Sequence, residues 1–150
     1  MGFSLPGLIL AVAILAPSFL LVPFPPVDAP HPAPRTSRVA GVLERVGQIG
    51  CLVLAVIVAP VLGHPGWLVA LIILVALYYL LWARYLAGGR RFRLLYAPLG
   101  PIPVALAVTP VLAFLAASFW LQNWFLTAAA VVLGVGHITV SAQIARAVRA

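Results

Sequence analysis

The 150-residue chain contains no lysine, one cysteine and only two acidic residues, Asp28 and Glu44. The lone Cys51 excludes an intrachain disulfide and a cysteine metal cluster. Charged residues make up 7% of the chain, against about 25% in soluble domains, so a soluble globular fold is excluded. No phosphate-cradling glycine loop, nucleophile elbow or HExxH pair occurs, which removes the usual sequence signatures of nucleotide binding, acyl transfer and zinc proteolysis.

What fills the chain instead is apolar: 65% of residues are hydrophobic and the mean hydropathy is +1.19. A spanning helix needs about 20 apolar residues, and runs of that kind fall at 4–22, 42–63, 67–86, 100–122 and 123–145. The expected fold is all-α, an integral membrane bundle of five transmembrane helices in a single membrane domain, 1–150. Pro17 predicts a break in the first run, supported by neighbouring helices. Six prolines in 23–35 forbid a helix and predict a semi-rigid extended connector. Thr36 or Ser37 can cap the second helix, which is expected to run to about Gly63. His64-Pro65-Gly66 reads as a tight turn, and Gly88-Gly89 as the end of the third helix, opening a basic loop at 87–99. The fourth run starts behind Pro101 and Pro103 and carries Pro110 mid-span. Small residues recur every fourth position at Gly47, Cys51, Ala55 and Ala59 and at Ala105, Thr109, Ala113 and Ala117, a pattern that lets membrane helices approach closely. Helices two and four are thus expected to pack tightly, and their small faces could also receive a partner subunit or a second copy.

The nine basic residues are all arginine and give a formal charge of +7. In a soluble protein that balance would suggest nucleic acid. Here the arginines lie between apolar runs, so no nucleic-acid partner is expected and they read as topology signals and contacts for anionic membrane lipid. Arg35, Arg38 and Arg45 lie between runs one and two, Arg84 to Arg93 between three and four, and Arg146 and Arg149 after five. Cytoplasmic loops carry the arginine excess, which puts the N-terminus outside and the C-terminus in the cytoplasm. The corresponding location is a bacterial plasma (inner) membrane.

The last apolar run holds GVGHITVSAQ, with His137, Thr139, Ser141 and Gln143. An ionisable group inside a span costs a few kcal/mol unless it finds a partner or water. At about 1.5 Å of rise per residue, His137 lies roughly 20 Å beyond Trp124, in the cytoplasmic half of the bilayer. Ser141 shares its face one turn on. Glu44, Gln48, Tyr78, Trp82 and Arg84 come to a similar depth from helices two and three, so a polar cavity open to the cytoplasmic leaflet is expected. Blander readings stay open beside it: His137 as a packing residue, Glu44 in a structural ion pair with Arg84 or Arg45, the aromatics as an interface belt, and Arg90, Arg91 and Arg93 as topology signal with generic lipid contact. His31 and His64 fall on opposite sides, so no metal site is expected. The sequence leaves any cofactor unknown.

LERVGQIG at 43–50, YYLLWARYLAGGRRFRLLYAPLGPIP at 78–103 and GVGHITVS at 134–141 together resemble a family of small bacterial multi-pass membrane proteins with no characterised activity. Glu44-Arg45 also resembles the opening of a helix in the MAPEG membrane glutathione transferases, where a Glu-Arg pair is followed by His and Asn and an arginine-rich helix end binds the cofactor. Gln48 and Ile49 depart from that pattern, as does the count of five spans against four. The terminal Arg and paired Glu of isoprenylcysteine-type methyltransferases are missing. None of these resemblances carries a catalytic role over.

Three functions follow as expectations. The first is binding of a lipid or other amphiphile, alone or within a larger assembly, with Gln48, Tyr78, Trp82, Arg84, Arg90, Arg91, Arg93 and Ser141 as contacts. The second is a membrane-embedded enzyme on a lipidic substrate, transferase-like, with His137 as acid or base, Glu44 orienting it or acting as acid, and Arg84 and Arg90 holding an anionic head group or cofactor. The third, a small transporter or channel, lacks charge along the outer half of any path.

Overall fold

The computed structural model describes residues 2–149. Ser4 opens helix α1 (Leu5–Leu15), its hydroxyl accepting from the Gly7 amide at 3.1 Å. Pro17 has no N–H for the Ala13 carbonyl one turn back, and around it the helix tightens into a 3-10 turn over Ala16–Leu21. The carbonyl that Pro17 frees is taken by the Tyr79 hydroxyl, which donates to it at 2.9 Å. The expected break is therefore present, and a neighbouring helix closes it.

The proline-rich connector has no regular helix and folds back over the arginine loop. Its Phe24 carbonyl accepts from the Tyr85 hydroxyl at 2.8 Å, and its Val27 amide donates to the Arg90 carbonyl at 3.1 Å. Ser37 then caps α2 (Arg38–Ile57). This helix stops at Ile57, not at Gly63. Pro60 offers no N–H, and its ring disfavours helical conformation in the residue before it. The orphan carbonyls at the helix end are used elsewhere: Val56 accepts from the Ser4 amide at 2.8 Å and Ile57 from Gly2 at 2.9 Å.

His64 caps α3 (Pro65–Ala87), with Nδ1 accepting from the Gly66 amide. The basic loop contains a further single-turn helix, α4 (Phe92–Leu95), and the Asp28 side chain of the connector accepts from its Phe92 amide. The fourth long helix, α5 (Ala105–Trp120), begins at Ala105 and not at Gly100. Gly100 is at φ +56°, a left-handed value glycine adopts freely, and Leu99 and Ile102 exchange backbone hydrogen bonds across a tight turn. Asn123 opens α6 (Trp124–Arg149), which outlasts the expected end at 145 by a turn.

Helices α2, α3 and α6 are each long and apolar enough to cross a membrane; α1 with its 3-10 turn, and α5, are shorter apolar segments. The protein is a helical membrane protein, and no strand occurs among the described residues. Successive long segments run in opposite directions. One end gathers Gly2, Ile57, Gly63, Trp120 and Asn123; the other gathers the connector, the basic loop and the end of α6. α2 packs against α6 and α3 against α5, while α5 also meets α6 and α1 meets α2. Gly47, Cys51 and Ala55 are buried in the first of these ridges, with Ala59 beyond the helix end. Ala105, Thr109, Ala113 and Ala117 are all buried in α5. Apart from Ala59, which is exposed, both small-residue faces are thus packed within the chain.

Candidate functional site

The crossing of α2 and α6 is built on two glycines. A methyl group on Gly47 would run into the Leu133 backbone, and one on Gly136 into the backbone nitrogen of Glu44. Glycine is required at both positions because the helix backbones touch there. The contact at Gly136 brings the next residue, His137, against Glu44. His137 Nδ1 lies 2.6 Å from Glu44 Oε1, and the two side chains are 32% and 26% exposed, respectively. When the carboxylate is ionised, Nδ1–H donates and the other ring nitrogen, Nε2, is left for further chemistry.

Glu44 and His137 line a cavity of about 190 Å³ together with Ser18, Tyr78, Trp82 and Ser141. A smaller space of about 90 Å³ continues on the other side of the pair, where Gln48 and Pro110 join the wall. Tyr78, Trp82 and Tyr85 form an edge-to-face ladder with ring centroids 6.3 and 5.8 Å apart. The Tyr78 hydroxyl is 3.4 Å from Ser18 Oγ. Trp82 is 5% exposed, and its indole N–H meets no acceptor. A buried donor without an acceptor costs about 1–3 kcal/mol, and this one is sealed from the cavity by its neighbours. Pro110 likewise leaves the Leu106 carbonyl without its helical donor, and Leu106 belongs to the cavity wall.

Arg84 does not join this cluster. Its guanidinium donates to the Pro98 carbonyl at 3.3 Å and faces a separate cavity of about 480 Å³, which Arg93 and Arg149 also line. Arg84 stands six residues beyond Tyr78, so the helix has turned it away from the inward face that carries Tyr78, Trp82 and Tyr85. Arg45 is exposed and does not pair with Glu44. Arg90 has φ +55° and is tied to the connector through its backbone, and Arg91 is exposed at the start of α4; neither lines either cavity. Thr139 faces outward, whereas Gln143 accepts from the Ser37 amide at 2.9 Å and fastens the start of α2 to α6.

Four contributors escaped sequence reasoning. Ser18 and Leu21 reach the inner cavity because the 3-10 turn after Pro17 carries the first segment across its mouth. Tyr96 lines both the inner and the arginine cavity. Burial, with the negative Glu44 adding to it, holds its phenol above the usual tyrosine range. Arg149 was read as a topology signal only. Among the described residues no three His, Cys, Asp or Glu side chains gather closely enough to hold a metal ion. No family model, curated protein or solved structure matches the chain.

Proposed function

We propose that this chain is a five-span plasma-membrane protein of a bacterium, N-terminus outside, which binds a lipid or other amphiphile in a polar cavity of the cytoplasmic leaflet. The observation that carries the reading is the Glu44–His137 pair in the wall of a cavity whose other polar side chains are the hydroxyls of Ser18, Tyr78, Tyr96 and Ser141. Such a pair inside an apolar helix bundle costs stability unless something polar completes it. The clustering of arginines at one end supports the orientation. With Cys51 replaced by Ala, single cysteines at Gly66 and Gly89 test it: reagent added from outside should label residue 66 only, and labelling at 89 would overturn the orientation. For ligand binding, lipid extracted from purified wild type, Glu44→Gln and His137→Ala is quantified by mass spectrometry. Each variant should lose at least half of the retained amphiphile, and unchanged retention in both would sink the reading.

A second reading, a membrane enzyme acting on a lipidic substrate, is favoured by the 2.6 Å carboxylate–imidazole contact. A carboxylate that orients a histidine is a common device for general-base catalysis. Here His137 would take a proton from a substrate hydroxyl in the cavity while Glu44 holds the ring. Retention of bound lipid by Glu44→Gln together with loss of its conversion in liposomes would favour the enzyme; loss of both favours the binder.

A further inference from the structure

The arginine cavity gathers three guanidinium groups that no carboxylate among the described residues pairs with. Arg84 comes from the end of α3, Arg93 from α4 and Arg149 from the end of α6, so three separate elements converge on one space of about 480 Å³. The chain has two acidic side chains: Glu44 pairs with His137, and Asp28 accepts from the Phe92 amide and shares a neighbouring cavity with Arg93 without an ion pair to it. Among the described residues no arginine has a carboxylate within 4 Å. Arg84 is held against the cavity wall by the Pro98 carbonyl, which aligns one guanidinium before any ligand arrives. The guanidinium fork matches phosphate oxygens bidentately.

The two cavities follow one another along the bundle. On α6, Ser141 and Ile144 line the inner one and Ala145, Val148 and Arg149 the outer. On α3, Tyr78 and Trp82 precede Arg84, and Tyr96 belongs to both walls. From Ser141 to Arg149 is eight residues, roughly 12 Å along the helix. A ligand with its phosphate at the arginines therefore has to extend a lipid's length, roughly 18 Å over the twelve residues from Arg149 back to His137, to bring a polar group to the Glu44–His137 pair.

We propose that Arg84, Arg93 and Arg149 form a phosphate subsite for an amphiphile whose body enters the Glu44–His137 cavity, and that the ligand is a lipid phosphomonoester. This rests on the amphiphile reading above and names its ligand class. Three fixed positive charges suit a monoester, at about −1.5 to −2 near neutral pH, better than a singly charged diester.

Native mass spectrometry of the full chain in detergent tests it, with dioleoyl phosphatidic acid, dioleoyl phosphatidylglycerol and dioleoylglycerol as probes and inorganic phosphate as a competitor. Phosphatidic acid should bind about tenfold or more tightly than dioleoylglycerol, with the diester between them. Arg84→Gln, Arg93→Gln and Arg149→Gln should each weaken phosphatidic acid about tenfold and leave dioleoylglycerol unchanged, while Arg90→Gln, Arg91→Gln and Arg146→Gln change either by less than about twofold. Equal losses at all six arginines, removed by salt, would mean generic attraction and overturn the subsite. Equal binding of phosphatidic acid and dioleoylglycerol, with both lost in His137→Ala, would also overturn it while leaving the amphiphile reading intact. Failure of wild type to bind any of the three lipids would overturn both. Displacement of phosphatidic acid by millimolar inorganic phosphate would reassign the anion site to a soluble phosphate and overturn the lipid source.

Discussion

The two ends of the bundle finish their polar groups in opposite ways. At the arginine-free end the chain closes on itself. Gly2 and Ser4 cap the end of α2, and Val61 and Gly63 donate to the last carbonyls of α5. Asn123 caps α6 through its Oδ1 while its Nδ2 donates to the Leu54 carbonyl at 2.9 Å. Thr127 donates to Ser118 at 2.9 Å, and Trp67 stacks on Phe119. At the other end, among the described residues, the indole N–H of Trp82 has no acceptor and three arginines share a cavity lined by no acid. One end is completed by folding, and the other keeps polar groups that protein atoms do not satisfy. That difference is what the proposed ligand accounts for, because buried polar groups in native folds are mostly partnered.

The largest expected effect comes from breaking the crossing that holds the open end together. Gly136→Leu drives a side chain into the Glu44 backbone and should destabilise the fold by more than about 3 kcal/mol, because neither helix backbone can give way. Gly41→Leu, on the same α2 but with nothing near its added atoms, should change stability by less than about 0.5 kcal/mol. Thermal unfolding followed by circular dichroism in detergent separates the two. Equal midpoints would mean that the glycine contact does not determine how α2 and α6 cross.

A direct contrast between the ends is expected next. Asn123→Ala removes a helix cap and a buried bond to the Leu54 carbonyl, and should cost about 2–3 kcal/mol. Trp82→Phe removes a donor that has no acceptor; its unfolding midpoint should move by less than about 1 kcal/mol, since lost ring area offsets a relieved desolvation cost. If the tryptophan change proved as costly as the asparagine change, the open end would be structurally complete, and the case for a ligand there would weaken.

Much of this division was legible in the sequence, and the part that was not has a physical reason. Arginine placement marked the open end, the ridge through Gly47, Cys51 and Ala55 marked the buried face of α2, and helical rise put Glu44 and His137 at one depth. Equal depth also nominated Arg84 as a partner, but depth says nothing about azimuth. Arg84 points away because it is six residues from Tyr78, and six residues at 100° each end on the far side of a helix. The short α4, the Asp28 cap on it and the shared wall at Tyr96 depend on how the connector and the loop fold over each other. Such contacts between irregular segments leave no periodic trace. Arg149 carried a visible charge but no indication that α6 would outlast its apolar stretch and bring that charge back toward Arg84.

The smallest effect concerns the two prolines within the shorter apolar segments. Pro17 and Pro110 each free a carbonyl four residues back, at Ala13 and Leu106. The first is closed by the Tyr79 hydroxyl at 2.9 Å, whereas the second belongs to a residue of the cavity wall. Interhelical hydrogen bonds within membrane proteins average about 0.6 kcal/mol, with a maximum near 1.7. Tyr79→Phe should therefore lower stability by about 0.6 kcal/mol. Pro17→Ala supplies the missing N–H, so in that background the tyrosine hydroxyl competes with the helix's own donor and its removal should cost nothing measurable. A double-mutant cycle on Tyr79→Phe and Pro17→Ala isolates the coupling. A coupling energy near the single-mutant loss makes the hydroxyl a substitute for the absent amide. A cycle that closes to zero would show that Tyr79 contributes through ring packing alone, and that a proline break in this bundle needs no donor to close it.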